Sequence, residues 1–241
     1  MGRMKRFLTW SPAPAGSSLG YRLAWWVGRA ILGFVGASLL FALLFKWVPV
    51  PVTPTMILDS NGFTKSWTPL SRIDRDMVAA VIAGEDGKFC THHGFDTAAI
   101  EQAWERNQRG GRIRGGSTIS QQTAKNVFLW QGGGWFRKAL EAWFTVLIEQ
   151  IWGKRRIMEV YLNVAETGIG TYGVEAGAQR YYGHSAARLS TVEAARIAAA
   201  LPSPKKREVV GATGFTRRHG NAIAARSTVV RRADFDACVY D

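Results

Sequence analysis

Hydrophobic and polar positions divide the chain into one continuous apolar stretch and a longer series of amphipathic ones. No charged residue occurs from Ala30 to Phe45. Flanking apolar residues extend the stretch to 23–47, and roughly 20 residues suffice for a helix that crosses a membrane. A cleaved signal peptide is the alternative, but residues 48–54 offer no clear small-x-small cleavage site. The pattern therefore predicts a single transmembrane helix over residues 23–47.

Downstream of this stretch the pattern predicts a mainly α-helical protein. Apolar residues recur three and four positions apart, as they do on one face of a helix. The predicted helices are one that ends at Glu85, one over 98–107, one that begins at Thr118, one over Arg137–Trp152, one over Lys154–Val164 and one that begins at Ser190.

Short non-helical segments are predicted between these helices. Asn61-Gly62 is a favoured two-residue turn, so a short strand pair is expected within Thr55–Thr68. Arginines and glycines over 106–116, and glycines over 168–173, predict two loops.

Basic residues predict the orientation of the apolar helix in the membrane. Those that precede its core are Arg3, Lys5, Arg6, Arg22 and Arg29. Only Lys46 follows it closely, so the positive-inside rule puts the N-terminus in the cytoplasm and the rest outside the inner (plasma) membrane. The predicted regions are a cytoplasmic basic tail (1–22), the transmembrane helix (23–47), a periplasmic linker that begins the domain (48–70) and the main domain (71–241).

The net charge of +13 favours a nucleic acid, an anionic lipid or a phosphorylated substrate as partner. The predicted topology excludes nucleic acid, because a domain outside the membrane meets lipid headgroups. It also puts Cys90 and Cys238 in an oxidising compartment. The sequence leaves their pairing open and does not favour it, because two free thiols fit the spacing equally well.

Glu85 is the first candidate for chemistry. It follows an apolar helical stripe, and desolvation there raises the pKa of a carboxyl group towards the range of a general base. The alternative is a solvated acid at a helix end. Asp86, Phe89 and His92 follow closely, so polar groups converge on one turn. A metal site is not expected, because no defined ligand spacing is present.

The polar helix that begins at Thr118 is the second candidate. Thr118 and Gln121 have the spacing of a capping box. Free backbone N–H groups at such a start favour an anion, and Gln122, Lys125 and Asn126 share one face. This combination suits a diphosphate or a sugar, whereas the alternative is an ordinary capped surface helix.

Two cations and an acid form the third candidate. Arg137 and Lys138 lie four and three residues before Glu141, so both reach its carboxylate. The cations would neutralise a departing diphosphate. The alternative is an exposed ion pair that contributes only about 0.3–0.5 kcal/mol.

These residues fall into ordered motifs. The motifs are Glu85-Asp86-x-x-Phe89-x-x-His92-x-Gly94-x-Asp96, Gly116-Ser117-Thr118-Ile119-Ser120-Gln121-Gln122-x-x-Lys125-Asn126, Arg137-Lys138-x-x-Glu141, Arg156-Ile157-x-Glu159-x-Tyr161-Leu162-Asn163 and Ala199-Ala200-Leu201-Pro202-Ser203-Pro204. Together they resemble the peptidoglycan glycosyltransferases (glycosyltransferase family 51) in their monofunctional form. They span residues 85–204, and the remainder is too short for a transpeptidase region.

The resemblance implies a lysozyme-like, mainly α-helical domain with a small membrane-proximal jaw. It implies polymerisation of lipid II into β-1,4-linked glycan strands, with release of undecaprenyl diphosphate and inversion at the anomeric carbon. Implied partners are lipid II, the growing strand, the membrane and proteins of cell division or cell-wall synthesis. No organic cofactor is implied, and a divalent cation (Mg or Mn) with the diphosphate is left open.

The resemblance also implies roles for individual residues. Glu85 would be the base for the acceptor hydroxyl, and Glu141 the second acid, beside the donor diphosphate. Lys125, Arg137 and Lys138 would hold phosphate. The residues expected to position the substrates are Asp86, Phe89, His92, Ser117, Thr118, Gln121, Gln122, Asn126 and Asn163.

Two other functions are weighed against this one. A lytic transglycosylase or lysozyme-like hydrolase also uses a helical domain and a glutamate. It would not need the cations Lys125, Arg137 and Lys138, because its leaving group is a sugar. A non-catalytic, membrane-anchored division scaffold would not need both acids.

Overall fold

The computed structural model describes residues 16–108 and 116–240, which form two compact units. The first unit contains helix α1, Leu19–Trp47, which has 29 residues and a mean hydropathy of 2.0. By length and composition α1 is suited to cross a membrane, as the apolar stretch predicted. It begins four residues before the predicted start at residue 23.

The second unit, from Val48 onward, is mainly α-helical, which confirms the predicted class. Its described helices are α2 (Pro54–Ile57), α3 (Arg75–Glu85), α4 (Thr97–Gln108), α5 (Ile119–Phe128), α6 (Trp135–Ile151), α7 (Gly153–Val164), α8 (Val174–Tyr182), α9 (Thr191–Ala200), α10 (Gly214–Arg232) and α11 (Ala237–Tyr240), with 3-10 turns at Leu70–Arg72 and Ala186–Arg188. Most of the predicted loop over 106–116 lies outside the described residues.

A small three-stranded sheet has the order β1-β3-β2. Its strands are β1 (Thr64–Lys65), β2 (Glu166–Gly168) and β3 (Thr171–Tyr172). Strand β1 runs parallel to β3, and β2 runs antiparallel to β3. The prediction of a loop over 168–173 is therefore wrong in part, because β2 and β3 form a tight hairpin there.

The strand pair expected within Thr55–Thr68 is also wrong. Thr53 caps α2 by accepting a hydrogen bond from Met56 N–H, and Pro54 suits the first helical turn. Strand β1 pairs instead with β3, more than 100 residues later. A local turn signal at Asn61-Gly62 carries no information about a partner so distant in sequence.

Helix α3 lies at the centre of the second unit. The side chains from Met77 to Ile82 are fully buried, and α9 and α10 pack against them. Gly84 permits the close approach of α10, because a Cβ atom at Gly84 would lie 3.1 Å from Ile223 Cδ1. Helix α3 ends at Glu85, which confirms the predicted end. The core thus holds the helix that carries the candidate base.

Cys90 and Cys238 form a disulfide bond, with their Cα atoms 5.5 Å apart. This corrects the expectation that did not favour a bridge. The two residues are 148 positions apart in the sequence. Their proximity arises from the packing of α11 against α7, which sequence spacing does not reveal.

Candidate active site

Glu85 ends helix α3 beside the start of helix α5. Its Oε2 accepts a hydrogen bond from the Gln122 side-chain amide at 2.8 Å. Its Oε1 is shielded from solvent and has no hydrogen-bond partner among the described residues. Burial raises the pKa of Glu85, although the Gln122 hydrogen bond and the charges of Arg207 and Lys125 oppose the shift. The site therefore contains a desolvated carboxylate with one free oxygen.

Asp86 joins the residues after Glu85 to the start of α5. Both of its carboxylate oxygens lie 3.0 Å from His92 Nε2, and Oδ2 also accepts the Ile119 N–H at 2.9 Å. His92 Nδ1 accepts the Gly94 N–H, so the Nε2 nitrogen is the one that donates to Asp86. One carboxylate thus orients an imidazole and binds a free N–H group of the helix start.

Thr118 attaches the same helix start to Gly94. Its hydroxyl donates to the Gly94 carbonyl at 2.6 Å, and it forms the predicted capping box with Gln121. Gly94 has a φ of 92°, and a Cβ atom there would lie 2.9 Å from Thr145 Cγ2. Any larger residue at this position would displace helix α6. The start of α5 is therefore held by two independent contacts.

Two cavities meet at the Glu85–Gln122 hydrogen bond. Cavity A, of about 420 Å³, is lined by residues that include Gln122, Lys125, Asn126, Tyr161, Glu166 and Lys205. Cavity B, of about 370 Å³, is lined by residues that include Glu85, Asp86, Lys88, Asp96, Ser117 and Thr118. The base thus borders one cavity and its amide partner borders the other.

Glu141 binds the two cations Arg137 and Lys138. Its side chain is 3% exposed, and Arg137 Nη1 lies 2.7 Å from Oε2. Lys138 Nζ binds Oε1 and also lies 3.2 Å from Ser117 Oγ, at the edge of cavity B. Burial excludes the exposed-ion-pair alternative for Arg137 and Glu141, whereas the Lys138 side chain stays 41% exposed. Both carboxylate oxygens of Glu141 are occupied by cations, so this acid is suited to hold charge rather than to accept a proton.

Lys125 connects the two acids electrostatically. Burial lowers its pKa, while the negative charges of Glu141 and Glu85 oppose that shift. Gln122, Lys125 and Asn126 all line cavity A, which confirms that they share one helix face. A negative group in cavity A would meet this cation directly.

The sequence matches the family model described as Transglycosylase over residues 54–232. The chain belongs to the transglycosylase family. It is therefore an enzyme of glycosyl transfer.

Curated relatives bear the name biosynthetic peptidoglycan transglycosylase. One from Caulobacter vibrioides is 48% identical over 211 residues, which cover 86% of this chain and 92% of the relative. One from Rhodospirillum centenum is 48% identical over 204 residues, covering 83% and 88%. One from Pseudomonas putida is 51% identical over 189 residues, covering 75% and 80%. Similarity thus extends over three quarters or more of this chain and of each of these relatives.

Some residues expected to position substrate have another task in this transglycosylase. Phe89 is fully buried, and the Gln121 side chain is used in the capping box. Asn163 is 1% exposed, accepts the Thr68 N–H and donates to the Thr68 and Glu159 carbonyls. The Asn163 amide thus joins two parts of the backbone, and its expected contact with substrate stays a prediction.

Sequence reasoning missed other residues of cavity A. Glu166 lies on β2, and burial raises its pKa. Its Oε1 has no hydrogen-bond partner among the described residues and lies 3.6 Å from Lys205 Nζ. Glu166 and Lys205 each lie just after a recognised motif, but their spacing in the sequence did not identify them as site residues. Glu166 reaches cavity A because strand β2 pairs with β3.

In the described part of the transglycosylase, no three His, Cys, Asp or Glu side chains converge in an arrangement that would hold an ion.

Proposed function

We propose that this transglycosylase polymerises lipid II into β-1,4-linked glycan strands of peptidoglycan and releases undecaprenyl diphosphate. The observation that carries the proposal is a desolvated Glu85, with one unpartnered oxygen, together with the buried Glu141 and its two cations, Arg137 and the partly exposed Lys138. A base and a set of fixed cations are what transfer from a sugar diphosphate requires.

Glu85 acts as the general base. Its free Oε1 accepts the proton of the acceptor sugar's 4-hydroxyl as that oxygen attacks the anomeric carbon of the donor. The new C1–O4 bond forms while the bond from C1 to the diphosphate oxygen breaks. One in-line displacement converts an α-linked donor into a β-linked product, by analogy with inverting glycosidases. No covalent enzyme intermediate is needed.

The cations stabilise the departing diphosphate. The electron pair of the broken bond leaves with the diphosphate, so this group needs positive charge rather than a proton. Arg137 and Lys138 are oriented by Glu141, and Lys125 adds a third positive charge. A divalent cation that accompanies the diphosphate would be bound by phosphate oxygens.

Helix α1 keeps the enzyme at the surface that holds its substrates. Both lipid II and the growing strand are lipid-linked, so a single-pass anchor converts a search in solution into a search in a plane. We assign the N-terminus to the cytoplasm and the catalytic domain to the outer side of the plasma membrane, from the basic residues that precede α1.

The test compares labelled lipid II with finished glycan as substrates of the full-length protein. Gel separation should reveal polymers with wild type, none with Glu85→Gln and strongly reduced amounts with Glu141→Gln. Glycan that is shortened while lipid II stays unpolymerised would favour the lytic alternative. Inactivity of the wild type on both substrates would favour the scaffold.

A further inference from the structure

The disulfide bond joins the last described helix to the segment that follows the candidate base. Cys90 lies in residues 86–94, here called the hinge loop, between Glu85 and helix α4. Cys238 lies in residues 233–240, here called the brace, which contains α11. The bond therefore ties the hinge loop to a segment that is 148 positions away in sequence.

The brace is also held by an ion pair that is buried on its Asp236 side. Arg75, the first residue of α3, binds both carboxylate oxygens of Asp236 at 2.8 and 2.7 Å. The Asp236 side chain is 0% exposed. The Arg75 guanidinium also lies over the Tyr240 ring, 4.9 Å from its centroid. These contacts attach the brace to the start of the helix that ends at Glu85.

Helix α7 provides a further attachment. Arg155 Nη1 donates to the Val239 carbonyl at 3.0 Å, and the Val239 side chain is fully buried. The brace is thus fixed at α3, at α7 and, through the disulfide, at the hinge loop.

The hinge loop transmits this restraint to the active site. Asp86, its first residue, binds His92 and the Ile119 N–H at the start of α5. Phe89, next to Cys90, is fully buried beneath the Lys154 ammonium. A shift of Cys90 would therefore move Asp86, the start of α5 and the adjoining Glu85–Gln122 hydrogen bond.

We propose that the brace and its disulfide are positioning elements of the transglycosylase site, which hold Glu85 in register with Gln122. This inference rests on the proposed function. Of the cations that would bind the diphosphate, Arg137 and Lys138 lie on α6, and Lys125 lies beyond the middle of α5, away from the start that Asp86 holds. The brace is bonded to α3, α7 and the hinge loop. Loss of the disulfide should therefore lower turnover and leave substrate affinity nearly unchanged.

The test uses the full-length protein in detergent, with the variants Cys90→Ser and Cys238→Ser. Misplacement of reacting groups by about 1 Å costs on the order of 100-fold in rate. Loss of the disulfide should displace Glu85 by less than this, so kcat should fall about 10-fold. KM should stay within about twofold of the wild-type value. Wild type treated with a dithiol should reach the same kcat, because the reagent is oxidised to its cyclic disulfide as two protein thiols form. Both cysteines are half-buried, and thiol labelling measures the extent of reduction.

Ser190→Ala serves as a matched control. The Ser190 side chain is the N-cap of α9, and among the described residues its hydroxyl bonds to Glu193 alone. Its loss should cost about 1 kcal/mol of stability. It should leave kcat unchanged. The dithiol should not alter kcat of either Cys→Ser variant.

Unchanged kcat in fully reduced wild type would overturn the inference, as would an equal loss in Ser190→Ala at a similar fall in melting temperature. If the Cys→Ser variants do not fold, reduction of the folded wild type and the variant Arg155→Ala answer the same question. Oxidised wild type that makes no polymer would instead contradict the proposed function.

Discussion

The side-chain amide of Gln122 donates a hydrogen bond to Glu85 Oε2 at 2.8 Å and leaves Oε1 without a partner among the described residues. This hydrogen bond to Oε2 fixes the orientation of the Glu85 carboxylate. The other oxygen is shielded from solvent and keeps its capacity to accept a hydrogen bond. Gln122 lines cavity A and Glu85 lines cavity B, so this contact links the linings of the two cavities.

Glu85→Gln should abolish polymerisation and stabilise the fold. General-base catalysis contributes about 10²–10⁴-fold, so the initial rate should fall by at least that range. The melting temperature at pH 7 should rise, because a desolvated negative charge is removed. Gel assays and thermal unfolding of the same preparations measure both effects. Glu101→Gln, a change at an exposed acid of α4, should alter neither.

Turnover should fall as the pH decreases through the raised pKa of Glu85, since the base must be ionised. Neighbouring charges at Asp86, Lys125 and Arg207 affect the pH at which turnover falls. The profile of kcat against pH measures it, and a limb at the ordinary glutamate value of about 4.3 would contradict burial as the cause.

Stability should change with pH in the opposite sense to turnover. A folded-state pKa above the unfolded value means that the folded protein binds more protons in that interval. The contribution of Glu85 to the free energy of unfolding is therefore fully present below the unfolded pKa and is lost as pH rises through the folded pKa. Denaturant unfolding across this range should reveal the loss in wild type, and Glu85→Gln should lack that component.

Glu141→Gln should destabilise the protein and weaken the phosphate site. Removing one partner of a buried ion pair costs about 3–5 kcal/mol. The Lys138 side chain is 41% exposed, so solvent screening should reduce the loss to about 2–3 kcal/mol. Urea unfolding measures this value, with Glu105→Gln at an exposed position as control. A neutral effect would indicate that Arg137 and Lys138 are satisfied without the acid.

Asn163→Ala should lower stability without changing KM for lipid II. The side chain makes three hydrogen bonds to backbone groups, two of them buried and one partly buried, and each contributes about 1 kcal/mol. The free energy of unfolding should fall by about 2–4 kcal/mol. Asn221→Ala, at an exposed position of α10, is the matched control. A large rise in KM with little loss of stability would instead support the expected role of Asn163 in substrate binding.

The helices and the polar face of α5 were predictable because their signals are local. Thr118 and Gln121 are three residues apart, and the capping box needs only those two side chains and the adjoining backbone. The end of α3 at Glu85 follows from the same short range, with Gly84 and Gly87 as poor helix residues. Motif order then identified the family.

Contacts between distant segments were not predictable from spacing. Strand β1 was expected to pair locally, yet it pairs with β3. Asn163 belongs to a recognised motif, but the motif does not reveal that its side chain binds the backbone of Thr68, 95 positions away. This structural role is visible only in the folded protein. Glu166 reached cavity A without any sequence signal.

By itself, the sequence determined the apolar anchor, the helical elements, the family and the residue types available for chemistry. The tertiary structure alone decided which Glu85 oxygen is free, that Glu141 is buried between two cations, and that Cys90 is bonded to Cys238. The physical reason is the distance along the sequence over which each feature acts. Periodicity and capping depend on neighbours within a few residues. Desolvation, ion pairing and disulfide geometry depend on which distant surfaces pack together.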